Sequence, residues 1–236
     1  VTNRGKSAIE NHFDHNVELE NALEAKGKID ALAQVQSINN LANIFYVRQN
    51  ETLGLGHAVL CAKDFVGDEP FAILLGDDMV YNPENPCIGQ LIKEYDRTGN
   101  SVIGCQRVDK TQISKYGCVS GEKINDNVYS VNSIVEKPRM EEAPSDVAVL
   151  GRYVLNSSIF SYLENTKPGV GNEIQLTDAL CEMAKEEKML AYVFKGRRYD
   201  IGDKEGFLEA TVEYALRDEK LHDRFAEYLK KLIPML

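Results

Sequence analysis

The chain has 236 residues, 43% hydrophobic and 27% charged, a size and balance that bury a core without disulfide or metal staples. Its formal net charge of −10, from 27 Lys and Arg against 37 Asp and Glu, disfavours broad attraction to nucleic acid or an anionic membrane. No run of about 18 apolar residues occurs, and the first ten residues are polar and mixed, so neither a spanning helix nor a signal peptide is expected.

Along the chain, Ala8, Ile9 and Phe13 with Leu19 and Leu23, and then Ile29, Leu32, Ala33 and Gln36, recur at helical spacing and predict two opening helices. Ile44 to Val47 is an apolar run suited to a buried strand, and Gly54 to His57 leads into a helix near Ala58. Phe71 to Leu75 reads as a strand covered on both faces, ending at Gly76-Asp77-Asp78. A helix carrying Ile88, Leu91, Ile92 and Tyr95 follows, then a strand at Ser101 to Cys105. Gly117 to Ser120, Val128 to Glu136 and Val147 to Leu155 form a block of extended segments, with Arg139 to Ser145 as a loop. Helical spacing returns at Leu176 to Ala184, then a strand at Leu190 to Phe194, a helix with Phe207, Leu208 and Thr211, and an amphipathic tail helix within 218–236, suited to closing the core or to meeting another subunit.

Strands alternating with helices predict an α/β fold: a Rossmann-like mixed, mainly parallel sheet flanked by helices, with a small antiparallel β subregion between Gly117 and Leu155. Ligands are then expected at the carboxyl ends of the strands. Cys61, Cys87, Cys105, Cys118 and Cys181 are scattered and contain no CxxC pair, which predicts buried thiols in a reducing cytoplasm.

Asp77 and Asp78 are adjacent carboxylates at a strand end, of which at most one can point into a ligand crevice; a hard cation such as Mg²⁺ suits one of them, and an Asx turn or helix cap suits them equally. Asp200 and Asp203 follow another strand, with Asp203 the better helix cap and Asp200 the better metal ligand. Gln49 offers a donor and an acceptor to a base edge, and Gly54 permits close backbone approach; His57 suits a proton carrier or a hydrogen-bonded structural residue. Glu136 suits sugar hydroxyls and Lys137, biased to extended backbone by Pro138, suits a phosphate, although an exposed ion pair explains the two as well. A dinucleotide-binding oxidoreductase is excluded by the lack of GxGxxG after a strand, and no Walker lysine follows the Gly54 loop.

In this order, RQNETLGLGHA, LLGDD, KYGCVSG, VEKP, GRYVL, GNEIQLTDA and YDIGD resemble the sugar-nucleotide pyrophosphorylases, a sugar nucleotidyltransferase family, from Val1 to about Leu232. The resemblance implies a single domain over 1–236 of the nucleotide-diphospho-sugar transferase fold and Mg²⁺-dependent transfer from UTP to glucose 1-phosphate, giving UDP-glucose and pyrophosphate. It places Gln49 and Gly54 at uracil, Asp77 and Asp200 at Mg²⁺, Gly117, Glu136, Lys137 and Glu173 at the sugar phosphate, and Lys137 and Asp77 in catalysis. Asp78 stands where thymidylyltransferase relatives carry Asn, which favours the uridylyl branch. A cytoplasmic homo-oligomer, dimer or tetramer, is expected, with neither nucleic acid nor membrane as partner. The family's opening strand, its GxGTR loop and its PKEMLP-like stretch do not occur, so the chain is expected to be N-terminally incomplete by one strand-and-crossover unit. That leaves a non-catalytic nucleotide-sugar binder, or the same chemistry with another nucleotide such as TTP, as the alternatives.

Overall fold

The computed structural model describes residues 1–235. Helices α1 (Ser7–Phe13), α2 (Val17–Ala25) and α3 (Ile29–Asn39) open the chain, three where the spacing predicts two. The division falls at Asn16, whose side chain accepts from the Leu19 N–H at 3.0 Å and starts α2 afresh. In order follow α4 (Leu55–Leu60), α5 (Lys63–Val66), β1 (Phe71–Leu74), β2 (Asp78–Tyr81), α6 (Cys87–Thr98), β3 (Ser101–Arg107) and β4 (Gly117–Lys123). Then come β5 (Val128–Glu136), β6 (Val147–Leu155), α7 (Ile159–Asn165), α8 (Leu176–Glu186), β7 (Met189–Val193), β8 (Arg197–Asp200), α9 (Lys204–Arg217) and α10 (His222–Leu232). These elements sort into two compact units, one comprising Val1–Gly67 and Phe160–Ala179, the other Asp68–Ile159 and the residues from Leu180 on.

In the first unit Ile44 to Val47 is not the expected buried strand. Arg48 makes one isolated parallel bridge to Thr2, through Thr2 N–H to the Val47 carbonyl at 2.8 Å and Gln49 N–H to the Thr2 carbonyl at 2.7 Å. One bridge fixes a register without building a ladder, and Phe45 is left 71% exposed.

The second unit holds a six-stranded sheet in the order β1-β6-β3-β7-β5-β4, in which β6 also pairs with β4. The α/β class and the mixed sheet are as expected; the predominance of parallel pairing is not. Only β3 and β7 run parallel, whereas β6 pairs antiparallel with β1, β3 and β4, and β5 with β4 and β7. The cause is the extended block from Gly117 to Leu155. It enters the main sheet as three strands, and its last strand, β6, lies between β1 and β3 where a helical crossover would have set parallel neighbours. β1 is consequently an edge strand with alternating burial, Leu74 being exposed, rather than a strand covered on both faces.

The core of this unit gathers Leu91 of α6 with Val102, Cys118, Val128, Ala148, Leu150, Val154 and Leu190. Cys87, in the same cluster, has its thiol pushed up to about 12, chiefly by burial, with Arg152 opposing and Asp78 adding. Buried Gln90 donates to the carbonyls of Asn85 at 2.7 Å and Lys195 at 2.8 Å and accepts from the Lys195 N–H at 2.8 Å. It thereby ties α6 to the turn between β7 and β8, and its polar atoms are used rather than left dry.

β2 and β8 form a separate antiparallel ribbon with Asp78 opposite Asp200 and Val80 opposite Arg198. Asp203 caps α9, accepting from the Glu205 N–H at 3.2 Å, as its position predicts. A Cβ on Gly206 would lie 2.1 Å from the Asp200 carbonyl oxygen, so only glycine lets the first turn of α9 sit on the end of β8. Further along α9, Glu213 accepts from Arg197 and Arg217, both at 2.8 Å, and from the hydroxyl of buried Tyr199 at 2.5 Å. Hydrogen bonding from Arg197, then from Tyr199, holds its carboxyl down to about 2, against a smaller opposing effect of burial. The tail helix α10 packs on α9 and leaves Leu221, Tyr228 and Ile233 exposed.

Two outcomes follow from the β8–α9 junction. Gly206→Ala is expected to lower the unfolding free energy by about 1–3 kcal/mol in a denaturant titration, because the added methyl meets backbone; wild-type stability would contradict the contact. A carboxyl depressed in the folded state stabilises above its unfolded pKa of about 4.3 and loses that contribution as pH falls toward 2. Glu213→Gln should therefore flatten the fall in unfolding midpoint between about pH 4.5 and 2 relative to wild type, and parallel curves would refute the linkage.

Candidate active site

The turn after β1 and the end of β8 bring two distant carboxylates together. A Cβ placed on Gly202 would lie 3.3 Å from Oδ2 of Asp77 and 3.3 Å from Oδ1 of Asp200, so the two oxygens are no further apart than twice that distance. The backbone is tied at the same place, with the Ile201 N–H donating to the Asp77 carbonyl at 2.8 Å. Asp77 is exposed and Asp200 half-buried, so the pair faces solvent. Two carboxylates suit a hard cation that draws its remaining ligands from phosphate and water. Among the described residues no group of three or more His, Cys, Asp or Glu side chains could hold a metal.

Adjacent Asp78 takes the other role. It is buried, it pairs with Arg198 Nε, and a Cβ on Gly151 would meet its Oδ2 at 2.6 Å. The two aspartates thus divide between a solvent-facing and an internal position, but through the turn that holds Asp77 and the start of β2 at Asp78 rather than through alternation along one strand. Arg198 also donates from Nη1 to the Tyr116 hydroxyl at 2.9 Å and from Nη2 to Asp200 Oδ2 at 3.4 Å. Its guanidinium carbon lies 4.8 Å from the centre of the Tyr116 ring. Burial alone would lower the Arg198 pKa, but Asp78 and then Tyr116 outweigh it and raise it. Arg152 donates to the carbonyls of Leu75 at 3.0 Å and Gly151 at 2.8 Å, and to that of Asp78, fixing the loop that carries both aspartates.

Gly117 and Glu136 are direct partners across β4 and β5, and a Cβ on Gly117 would lie 3.2 Å from Glu136 Oε2. Lys137 donates its N–H to the Tyr116 carbonyl at 3.1 Å. Its φ is +45°, a conformation that costs a non-glycine residue of order 1–2 kcal/mol. Pro138 does keep Lys137 out of a right-handed helix, but the backbone turns left-handed rather than extended, because the chain leaves β5 sharply with Pro138 buried. The buried phenol of Tyr153 is pushed up first by burial and then by Cys105, Asp78, Glu136 and Asp77. One ring therefore feels the carboxylates of both the β5 end and the β1 turn.

The remaining expected residues lie in the first unit. Gln49 is buried; its amide nitrogen donates to the Gly54 carbonyl at 3.1 Å and lies 3.0 Å from His57 Nδ1. That donor is held within the loop, and His57 sits in the same knot. Gly54 has φ +94°, and a Cβ there would meet Glu173 Cβ at 2.7 Å and the Ile174 carbonyl at 2.9 Å, so the glycine is required twice over. The segment is zipped by Ile174 N–H to the Leu53 carbonyl at 2.7 Å and Gly56 N–H to the Ile174 carbonyl at 2.9 Å, which sets Glu173 beside Gly54.

Sequence reading overlooked Arg198, Arg152 and the strand β2. A signal for Arg198 was present: it stands two residues before Asp200, on the same face of any strand containing both. Arg152 carries no such local signal, since its partners at the aspartate loop, Leu75 and Asp78, lie 77 and 74 positions away.

Residues 9–217 match the nucleotidyl transferase family. The chain is 52% identical over 232 residues to UTP–glucose-1-phosphate uridylyltransferase 2 of Staphylococcus saprophyticus, covering 98% of this chain and 80% of that protein. It is 51% identical over 233 residues to the UTP–glucose-1-phosphate uridylyltransferase YngB of Bacillus subtilis, covering 99% and 78%. Among solved structures, the UTP-bound enzyme of Acinetobacter baumannii superposes with a TM-score of 0.90 at 38% identity, covering 98% and 81%. A UDP-glucose pyrophosphorylase complexed with UDP-glucose gives 0.82 at 40% identity, covering 92% and 80%. The match extends over nearly the whole chain, and the chain belongs to the nucleotidyl transferase family.

Proposed function

We propose that this protein is an enzyme that transfers the uridylyl group of UTP to glucose 1-phosphate, giving UDP-glucose and releasing pyrophosphate. The observation that carries the reading is the Asp77–Asp200 pair at Gly202, in a chain half identical to uridylyltransferases over nearly all its length. An oxygen of the sugar phosphate attacks the α-phosphorus of UTP; one P–O bond forms, the bond to the pyrophosphate oxygen breaks, and pyrophosphate carries away the negative charge. The nucleophile is already anionic near neutral pH, so neither a covalent intermediate nor a general base is needed. Positioning and charge neutralisation dominate.

Within this reading Lys137 holds the attacking phosphate, its side chain carried from the end of β5 on a backbone that is left-handed at +45°. Glu136 accepts from sugar hydroxyls beside Gly117, where a side chain would crowd the carboxylate, and Glu173 contacts the same substrate. Gln49 and Gly54 serve uracil, Gln49 through the part of its amide not committed to Gly54 and His57. Asp77 and Asp200 hold Mg²⁺, which when bound neutralises charge on the phosphates. No described helix is long and apolar enough to cross a membrane; the location proposed for the enzyme is the cytoplasm. Exposed Leu221, Tyr228 and Ile233 on the tail support assembly into a dimer or tetramer.

Lys137→Ala is expected to reduce turnover by roughly 100-fold or more, the scale of losing one charge-stabilising group, while UTP affinity changes far less. Pyrophosphate release and calorimetric UTP binding measure the two, and wild-type turnover would remove the role. Lys137→Gly should match the activity loss yet be more stable than Lys137→Ala by about 1 kcal/mol, because glycine accepts the left-handed backbone; equal stability would contradict the strain. UTP should exceed TTP in kcat/KM by roughly tenfold or more, and a preference for TTP would reassign the nucleotide.

A further inference from the structure

Arg198 touches both the internal Asp78 and the half-buried Asp200 of the site. It lies on β8 two residues before Asp200, directly across the ribbon from Val80 and diagonal to Asp78. Its side chain is 13% exposed, that of Asp78 11% and that of Asp200 34%. Each guanidinium nitrogen makes one bond: Nε to Asp78, Nη1 to the Tyr116 hydroxyl at 2.9 Å and Nη2 to Asp200 Oδ2 at 3.4 Å. The plane of the guanidinium is held against Tyr116. The contact to Asp200 is made on Oδ2, whereas the oxygen near Gly202 and Asp77 is Oδ1. Holding one oxygen of a carboxylate fixes the direction of the other.

We propose that Arg198 is a positioning residue for the transfer reaction: anchored on Asp78 and Tyr116, it holds Oδ2 of Asp200 so that Oδ1 is presented with Asp77 to a divalent cation. The inference rests on the reading of Asp77 and Asp200 as the cation site and adds to it the group that orients the site. Charge and position make opposite predictions here. A cation beside a carboxylate pair weakens metal binding by like-charge repulsion, so if the charge of Arg198 were all that mattered, removing it would tighten the site. If position matters, removing it loosens the site, because Asp200 then samples rotamers that turn Oδ1 away. Lysine separates the two, since it keeps the positive charge beside Asp78 but cannot reach three partners at fixed angles.

The test is a titration of the intact protein with Mn²⁺ alone, read by the electron paramagnetic resonance of free Mn²⁺, for wild type, Arg198→Lys, Arg198→Gln and Asp200→Asn. Arg198→Lys and Arg198→Gln are each expected to weaken Mn²⁺ affinity by roughly tenfold or more, the scale for losing a group that orients a ligand. Raising Mg²⁺ should restore part of the turnover of Arg198→Lys, which a general packing defect would not allow. Should Arg198→Gln fail to fold with Asp78 left unpaired, Arg198→Lys decides alone. Wild-type or tighter Mn²⁺ affinity in the folded variants, with affinity lost in Asp200→Asn, overturns the positioning role and leaves the cation site standing. Affinity that Asp200→Asn leaves intact, or no Mn²⁺ binding by wild type, removes the cation site itself and the inference with it.

Discussion

The fold places two carboxylates close enough to repel each other. At an effective dielectric constant of about 20, two unit charges at the greatest separation this geometry allows, twice 3.3 Å, repel by roughly 2.5 kcal/mol, and water screening lowers that figure. Asp77 and Asp200 are held in that relation by backbone: the Ile201 N–H binds the Asp77 carbonyl, the β2–β8 register sets Asp78 opposite Asp200, and Gly206 lets α9 press on the Asp200 carbonyl. Arg198 supplies positive charge on the inner side through Asp78 and Asp200. A pair kept together at a cost in repulsion, and facing solvent, is suited to a cation that offsets the cost when it binds.

The rest of the second unit serves that arrangement. Gln90 ties α6 to the turn that launches β8, Arg152 fixes the carbonyls of the Asp77 loop, and Tyr116 links two ends of the site, with its hydroxyl on Arg198 and its carbonyl on the Lys137 N–H. The strained backbone at Lys137 fits the same pattern, since local strain persists where surrounding contacts over-determine a residue's position. In the first unit the Gly54–Glu173 zipper does comparable work at a smaller scale, holding Gln49 and His57 in one hydrogen-bonded knot.

Much of this could be read from sequence where the signal is local. Val128–Glu136 and Val147–Leu155 are strands with the predicted bounds, because long β-branched runs leave few alternatives. Asp203 caps α9 because an aspartate before a helical pattern has a free acceptor for the first-turn N–H groups. Sheet order was less legible. Nothing in β6 itself says that it inserts antiparallel between β1 and β3, and the continuous apolar run Phe71–Leu75, read as doubly covered, forms an edge. Ile44–Val47 has the composition of a strand and forms a single bridge, since strand formation depends on partners that composition does not reveal. At the site, the residue types and their division of roles were visible in LLGDD and YDIGD. The arginine network was not, because most of its contacts join segments dozens of residues apart.

The account depends most on one divalent ion being shared by Asp77 and Asp200. The direct measurement is an anomalous-difference map from crystals of the protein grown with UTP and Mn²⁺. The account predicts one metal peak within coordination distance of Oδ2 of Asp77 and Oδ1 of Asp200 together. A peak bonded to neither aspartate, or separate peaks on each with no shared ion, would contradict it.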